Sequence, residues 1–481
     1  MKNGKFKLLG SVLGALLLVA ILPVAGLCAG ADAPHLPGTI SALWVIPFAC
    51  MLLSIAVCPL VVPHFWHHHF GKTAVFWGLA FLVPCAVIFG PGVAIYEAWH
   101  AIILDYVPFI ILLFSLFTVA GGIRLTGSLV GKPVVNTGIL LVGTVLASWM
   151  GTTGAAMLLI RPLLKANAHR KYQVHSVVFF IFLVANIGGC LTPLGDPPLF
   201  LGFLKGVSFF WTASHLLPML LVLAAILLPL YFIVDTILYN KEGRPVPQGA
   251  NAGSGEKLGF EGGINFLLLV GVVASVLMSG SVDLGTVTVY HVDIALQNIL
   301  KDVLLLAIAG ISWKITDRAS REKNGFNWEP ILEVGKLFFG IFLSMIPAIV
   351  ILRAGTSGAL GGIIDMVTDS ATGKPIDVMY FWLAGALSSF LDNAPTYVVF
   401  FNTAGGDAAA LMGPMASTLA AISAGAVFMG ANTYIGNAPN FMVRSIAENQ
   451  GVKMPSFFGY MAWSVGILIP SFVVLTFLFF I

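Results

Sequence analysis

The strongest constraint on this chain is a broken, acidic stretch inside one of its most hydrophobic regions, Asn186-Ile-Gly-Gly-Cys-Leu-Thr-Pro-Leu-Gly-Asp-Pro-Pro-Leu-Phe200. Gly188, Gly189, Gly195, Pro193, Pro197 and Pro198 cannot all lie within one unbroken helix, and Asp196 stands among them. In hydrocarbon, irregular backbone persists only where protein or a polar cavity covers its N–H and C=O groups. The surroundings are membrane-like. Of the 481 residues 58% are hydrophobic and only 9% charged, against about 25% charged in soluble domains. Apolar runs of the ~20 residues that a bilayer requires recur along the whole length. These features predict an all-α polytopic membrane protein with the lipid bilayer as its first partner.

Basic residues orient the runs. Lys2, Lys5 and Lys7 precede an apolar stretch from Leu8 to Leu27, a pattern shared by a secretory signal and a first span; residues 1–28 are taken as an uncleaved span. Ten further runs lie near 41–63, 73–96, 101–123, 174–200, 212–238, 263–281, 299–313, 329–353, 413–440 and 457–481, giving eleven spans. Two more stretches, 134–160 and 378–403, are interrupted halfway, by Gly151-Thr-Thr-Gly154 and Asp392-Asn-Ala-Pro395, and read as re-entrant hairpins. With a cytoplasmic N-terminus this layout puts nineteen of the 24 Lys and Arg residues inside, as the positive-inside rule demands. A bacterial-type plasma membrane is the expected location.

The Gly/Pro/Ser-rich segment at 241–262 reads as a cytoplasmic linker between a first half, 29–240, and a second half, 263–481. Thr192-Pro-Leu-Gly-Asp-Pro-Pro-Leu-Phe200 is echoed by Thr433-Tyr-Ile-Gly-Asn-Ala-Pro-Asn-Phe441, an offset of 241 residues. The same offset carries the hairpin turn Ser148-Trp-Met-Gly-Thr-Thr-Gly154 onto Ser389-Phe-Leu-Asp-Asn-Ala-Pro395. Each half thus contains a hairpin (134–160; 378–403) followed by a broken helix (174–200; 413–440). On the eleven-span layout the halves are inverted, which points to a secondary transporter with its site at the midplane.

Asn186-Ile-Gly-Gly with Thr192-Pro-Leu-Gly-Asp196, and Leu391-Asp-Asn-Ala-Pro395, resemble the paired motifs of NhaD-type sodium/proton antiporters. These belong to a large ion-transporter superfamily that also holds arsenite, citrate and dicarboxylate carriers. The resemblance runs from about residue 100 to the end. It implies eleven spans, two re-entrant hairpins, an elevator-like division into scaffold and transport parts, and a homodimer. After Gly195-Asp196 the antiporter pattern continues with threonines, whereas here Pro197-Pro198-Leu-Phe follows, resembling a branch labelled as citrate transporters. Dicarboxylate carriers carry Ser-Asn-Thr at both hairpin tips; this chain has Gly151-Thr152-Thr153 and Asp392-Asn393-Ala394.

Asp392 and Asp196 are the expected proton- and cation-carrying residues, since an intramembrane carboxylate marks an ion path or proton relay. Either acid can instead be a helix cap. Burial favours a neutral carboxyl and bound Na⁺ favours the charged form, so such a site can hold H⁺ or Na⁺ in turn. Asn393, Thr152, Thr153, Asn186, Thr192, Gly195, Asn432, Thr433 and Asn437 are the candidate ion- or substrate-binding positions, their neutral oxygens suiting a hard cation. Glu333 and Lys336, three apart on one helix face, are a candidate coupling pair or a structural ion pair. Asp105, Asp235 and Arg353 fall near span ends as interfacial anchors, and His64 to His69 reads as a solvated loop. The expected function is Na⁺/H⁺ antiport, with coupled transport of citrate or a dicarboxylate as the alternative. No cofactor, resident metal, nucleic-acid partner or enzymatic site is expected; the sequence has no GxxxxGK[ST] loop and no sizeable soluble segment.

Overall fold

The computed structural model describes residues 34–246 and 258–481. The expected first span and half of the expected linker, residues 247–257, lie outside them. Helices α1 (Ile46–Val61) and α2 (Pro63–Ile88) each carry proline in the first turn, where its missing N–H is no loss. A third, α3 (Pro91–Ala120), follows, with a π-helical stretch at Ala101–Tyr106. The next segment contains α4 (Pro133–Met150), α5 (Thr152–Ala166), α6 (Val174–Leu183), α7 (Pro197–Leu204) and α8 (Trp211–Lys241). Then come α9 (Ile264–Ser281), α10 (Leu296–Ile315) and α11 (Glu329–Arg353). The chain ends with α12 (Asp377–Phe390), α13 (Asn393–Thr403), α14 (Ala416–Met429), α15 (Ala438–Asn449) and α16 (Phe457–Phe479).

Among the described residues nine helices are long and apolar enough to cross a membrane, and the sheets are two-stranded ribbons. The protein is an all-α polytopic membrane protein, as its composition requires.

The chain divides into two compact units: residues up to Ser115 with Ala274–Gly310 and Asn327–Met366, and Leu116–Val273 with Ile311–Phe326 and Val367–Ile481. In the first, α11 packs along α2. A Cβ on Gly340 would lie 2.4 Å from the Ala74 carbonyl oxygen, so glycine is what lets these backbones meet. Phe81, Cys85, Leu343 and Ile346 fill the core beside that contact. Two expectations are corrected here. His64 to His69 is not a loop but the opening turns of α2, started by Pro63. Glu333 and Lys336 form no ion pair; the Lys336 ammonium instead lies over the Phe70 ring, 5.4 Å from its centroid.

The second unit contains both hairpins and both broken helices. The first hairpin turns at Gly151, whose φ of 79° suits glycine, and the second turns at Leu391-Asp392, between α12 and α13. The 241-residue offset holds in three pairs of hydrogen bonds at the breaks. Ser148 Oγ donates to Gly188 O at 2.5 Å, and Ser389 Oγ to Met429 O at 3.0 Å. Thr192 Oγ1 donates to Ser148 O, and Thr433 Oγ1 to Ser389 O. Leu194 N donates to Thr192 Oγ1, and Ile435 N to Thr433 Oγ1, both at 3.2 Å.

Packing between the halves is reciprocal. Helix α5 of the first half lies on α15 of the second, and α13 of the second lies on α7 of the first. Exchange of matching contacts is the mark of a two-fold relation, here within one chain. The side chains at the two contacts differ. Gly202 leaves room for the Tyr397 hydroxyl, which would stand 2.3 Å from a Cβ there. The repeat counterparts of these residues are Val443 and Ala156, both buried.

Asp105 and Asp235 do not act as interfacial anchors, being only 7% and 0% exposed. A buried charge requires a partner, and Asp235 has several. Its Oδ1 lies 2.6 Å from Arg170 Nη1 and 2.8 Å from His175 Nε2, and its Oδ2 accepts from Asn136 at 2.9 Å. This network joins the base of the first hairpin to α6 and α8. Replacing Asp235 with alanine leaves the Arg170 guanidinium buried without its closest acid and is expected to cost about 3–5 kcal/mol, measured as a lowered unfolding midpoint in detergent.

Candidate functional site

The site forms where four helices begin. Asp196 immediately precedes α7 and Asn437 precedes α15, both in extended backbone (φ −143°, ψ 141°; φ −155°, ψ 139°). Thr152 is the first residue of α5, and Asn393 the first of α13. An N-cap side chain ordinarily accepts from the second or third amide of its helix. Asp196 makes no such bond: Pro198 has no second N–H to offer, and the third, of Leu199, donates to the Asp196 backbone carbonyl at 3.1 Å.

Its carboxylate turns to the other helices instead. Thr152 Oγ1 donates to Asp196 Oδ1 at 3.1 Å, Asn437 Nδ2 to the same oxygen at 3.1 Å, and Asn393 Nδ2 to Asp196 Oδ2 at 2.5 Å. Two of these donors are related by the repeat to each other, Thr152 and Asn393; the third, Asn437, is the repeat counterpart of Asp196 itself. Counterparts in direct contact lie beside the two-fold axis, so the acid sits at the centre of the repeat.

The carboxylate is 1% exposed. No lysine, arginine or histidine of the described residues pairs with it. Its compensation is neutral: three donors, and four helix N-termini that each act as roughly half a positive charge. Amide acceptors of the same unit are left over. Asn393 Oδ1 and Asn432 Oδ1 are buried and accept no hydrogen bond. A buried carboxylate beside an unused amide oxygen is chemistry that a cation or a proton satisfies.

The structure places the other expected residues as follows. Asp392 is half-buried and caps α13, accepting from Ala394 N at 3.1 Å. Thr192 and Thr433 brace the hairpin carbonyls of Ser148 and Ser389. Gly195 O accepts from Thr152 N at 2.9 Å. Asn432 Nδ2 donates to Ser389 Oγ at 2.9 Å. Thr153, in the first turn of α5, donates no hydrogen bond to Asp196. Asn186 reaches Asn437 rather than the acid, its Oδ1 accepting from Asn437 Nδ2 at 3.2 Å. Glu333 and Lys336 lie on α11, in the other unit. Asn440, which no motif singles out, is fully buried and accepts from Asn186 at 2.7 Å. The sequence does carry a signal for it, since the repeat sets this asparagine opposite Leu199.

Gly195 and its counterpart Gly436 hold the broken segments close. A Cβ would lie 2.1 Å from Gly189 O in one case and 2.5 Å from Gly430 O in the other. Gly195→Ala and Gly436→Ala are each expected to destabilise the fold by at least about 1–3 kcal/mol, the usual cost of overpacking, since the blocking atom is backbone. Thermal unfolding of each variant tests this, and Gly138→Ala, with open space at its Cβ, is the control.

No curated protein matches the chain. A family model described as "putative citrate transport" matches residues 38–480, nearly the whole length. The chain therefore belongs to that family, and is a secondary transporter of the membrane.

Proposed function

We propose that the protein binds its coupling ion at Asp196 and exchanges Na⁺ for H⁺ by alternating access. The observation that carries this reading is the composition of the site: one buried carboxylate, neutral amides and hydroxyls, an unused Asn393 oxygen, and no cationic side chain. Such a set takes a proton on Asp196 or a Na⁺ held by Asp196 and neutral oxygens, and not both at once. Exclusive occupancy couples the two fluxes, provided the empty site does not switch sides readily. The inverted eleven-span layout, a cytoplasmic N-terminus, a plasma-membrane location and a homodimer belong to the same proposal.

A second reading, Na⁺- or H⁺-coupled transport of citrate or another small carboxylate, is favoured by the family and by the convergence of four helix N-termini. Helix N-termini attract anions. On this reading Asp196 carries the coupling ion beside the substrate.

Inverted membrane vesicles with a preformed pH gradient separate the two. Na⁺ or Li⁺ is expected to collapse the gradient, and Asp196→Asn to abolish the response. Asp392→Asn is expected to keep it, because asparagine caps a helix about as well as aspartate. A gradient indifferent to Na⁺ and Li⁺, together with Asp196-dependent uptake of labelled citrate, would establish the second reading instead.

A further inference from the structure

Two equivalent positions beside the axis, 196 and 437, could hold the acid, and only one does. The hydrogen bonds around them give a reason. Backbone carbonyls cannot flip, so they fix the direction of any amide that meets them. Asn440 Nδ2 donates to Gly430 O and Thr433 O, each at 2.9 Å. Its oxygen must then face the other way, where it accepts from Asn186 Nδ2 at 2.7 Å. Asn186 Nδ2 also donates to Ile181 O at 2.8 Å, which turns Asn186 Oδ1 toward position 437. There it stands beside a further fixed acceptor, Ala185 O. Asn437 answers both with Nδ2, at 3.2 and 3.3 Å, and the same group reaches Asp196 Oδ1 at 3.1 Å.

Position 437 is thus surrounded by acceptors and position 196 by donors. A carboxylate suits the second environment and is repelled by the first. The repeat counterparts of Asn186 and Asn440 are Val427 and Leu199, so no matching chain runs the other way. We infer that the Asn440–Asn186–Asn437 chain fixes the polarity of the axis and thereby assigns the ion-carrying acid to the first half. Asn186 and Asn440 do not touch Asp196; they are positioning residues. The inference rests on the reading that Asp196 carries the coupling ion.

The test is a cycle in the full-length protein, read as transport KM in proteoliposomes and as unfolding midpoint in detergent. The exchanged pair Asp196→Asn/Asn437→Asp keeps the charge of the site. It is expected to raise the KM for the coupling ion at least about tenfold, or about 1.4 kcal/mol, and to lower the midpoint. Adding Asn186→Val, the residue that the repeat carries at 427, removes an acceptor from position 437. In the exchanged background it is expected to lower the KM and raise the midpoint. In the natural background it is expected to raise the KM more than it lowers kcat, and to lower the midpoint.

This reversal of sign is what a merely structural role cannot produce. An Asn186→Val effect of the same sign in both backgrounds overturns the inference, as does an exchanged pair with unchanged KM and midpoint. Should the exchanged pair fail to fold, Asn186→Val must recover folded protein, and failure to do so also overturns it. If Asp196→Asn transports as well as the natural protein, the ion-site reading falls, while the midpoints still decide the polarity of the axis.

Discussion

The second unit depends on holding one buried carboxylate, with neutral donors and no cationic side chain paired to it, where helices are interrupted. Each interruption exposes N–H and C=O groups that a continuous helix would have satisfied. The chain meets this locally with serine and threonine: Ser148, Ser389, Thr192 and Thr433 each close a bond to backbone near a break. Once the breaks are sealed, four helix N-termini face a common centre, and their field favours a negative charge there without any lysine or arginine. That matters for a carrier. A fixed cationic partner would occupy the carboxylate permanently, whereas amides and hydroxyls carry no charge to neutralise it.

Much of this is legible in the order of residues alone. Breakers inside an apolar run, repeated at one offset, announce both the hairpins and the broken helices, because glycine and proline act on the backbone directly. The direction of a side chain is a different matter. Asp392 and Asp196 look alike as embedded acids, yet one caps its own helix and the other leaves its helix for three partners. The difference lies in the next two residues of each. Ala394 brings the backbone N–H that Asp392 caps, whereas Pro198 brings none at the matching place and the Leu199 N–H goes to the Asp196 backbone carbonyl. Thr192 and Thr433 read as ion ligands for a similar reason: a hydroxyl beside a glycine-rich break can serve a cation or a carbonyl, and here it serves the carbonyl.

Positions read singly mislead most where burial is inferred from place in the sequence. Asp235 stands near the end of α8, which suggests an interface, but pairing with Arg170 and His175 keeps it fully enclosed. Its partners Asn136, Arg170 and His175 are dispersed between positions 136 and 175, so no local pattern discloses them. The histidines at 64 to 69 fail in the opposite sense. Their polarity suggests a loop, and helix initiation at Pro63 overrides it.

The contact of Gly202 with Tyr397, and the buried repeat counterparts Val443 and Ala156, bear on how far the halves have parted. Bulk has moved from one arm to its opposite number: the first half keeps small residues at both positions, the second keeps large ones. A chain assembled from two first halves would set Ala156 against Gly202 twice and leave two voids. One assembled from two second halves would drive Tyr397 into Val443 twice. The halves are complementary rather than interchangeable, a lock and its key cut from one blank.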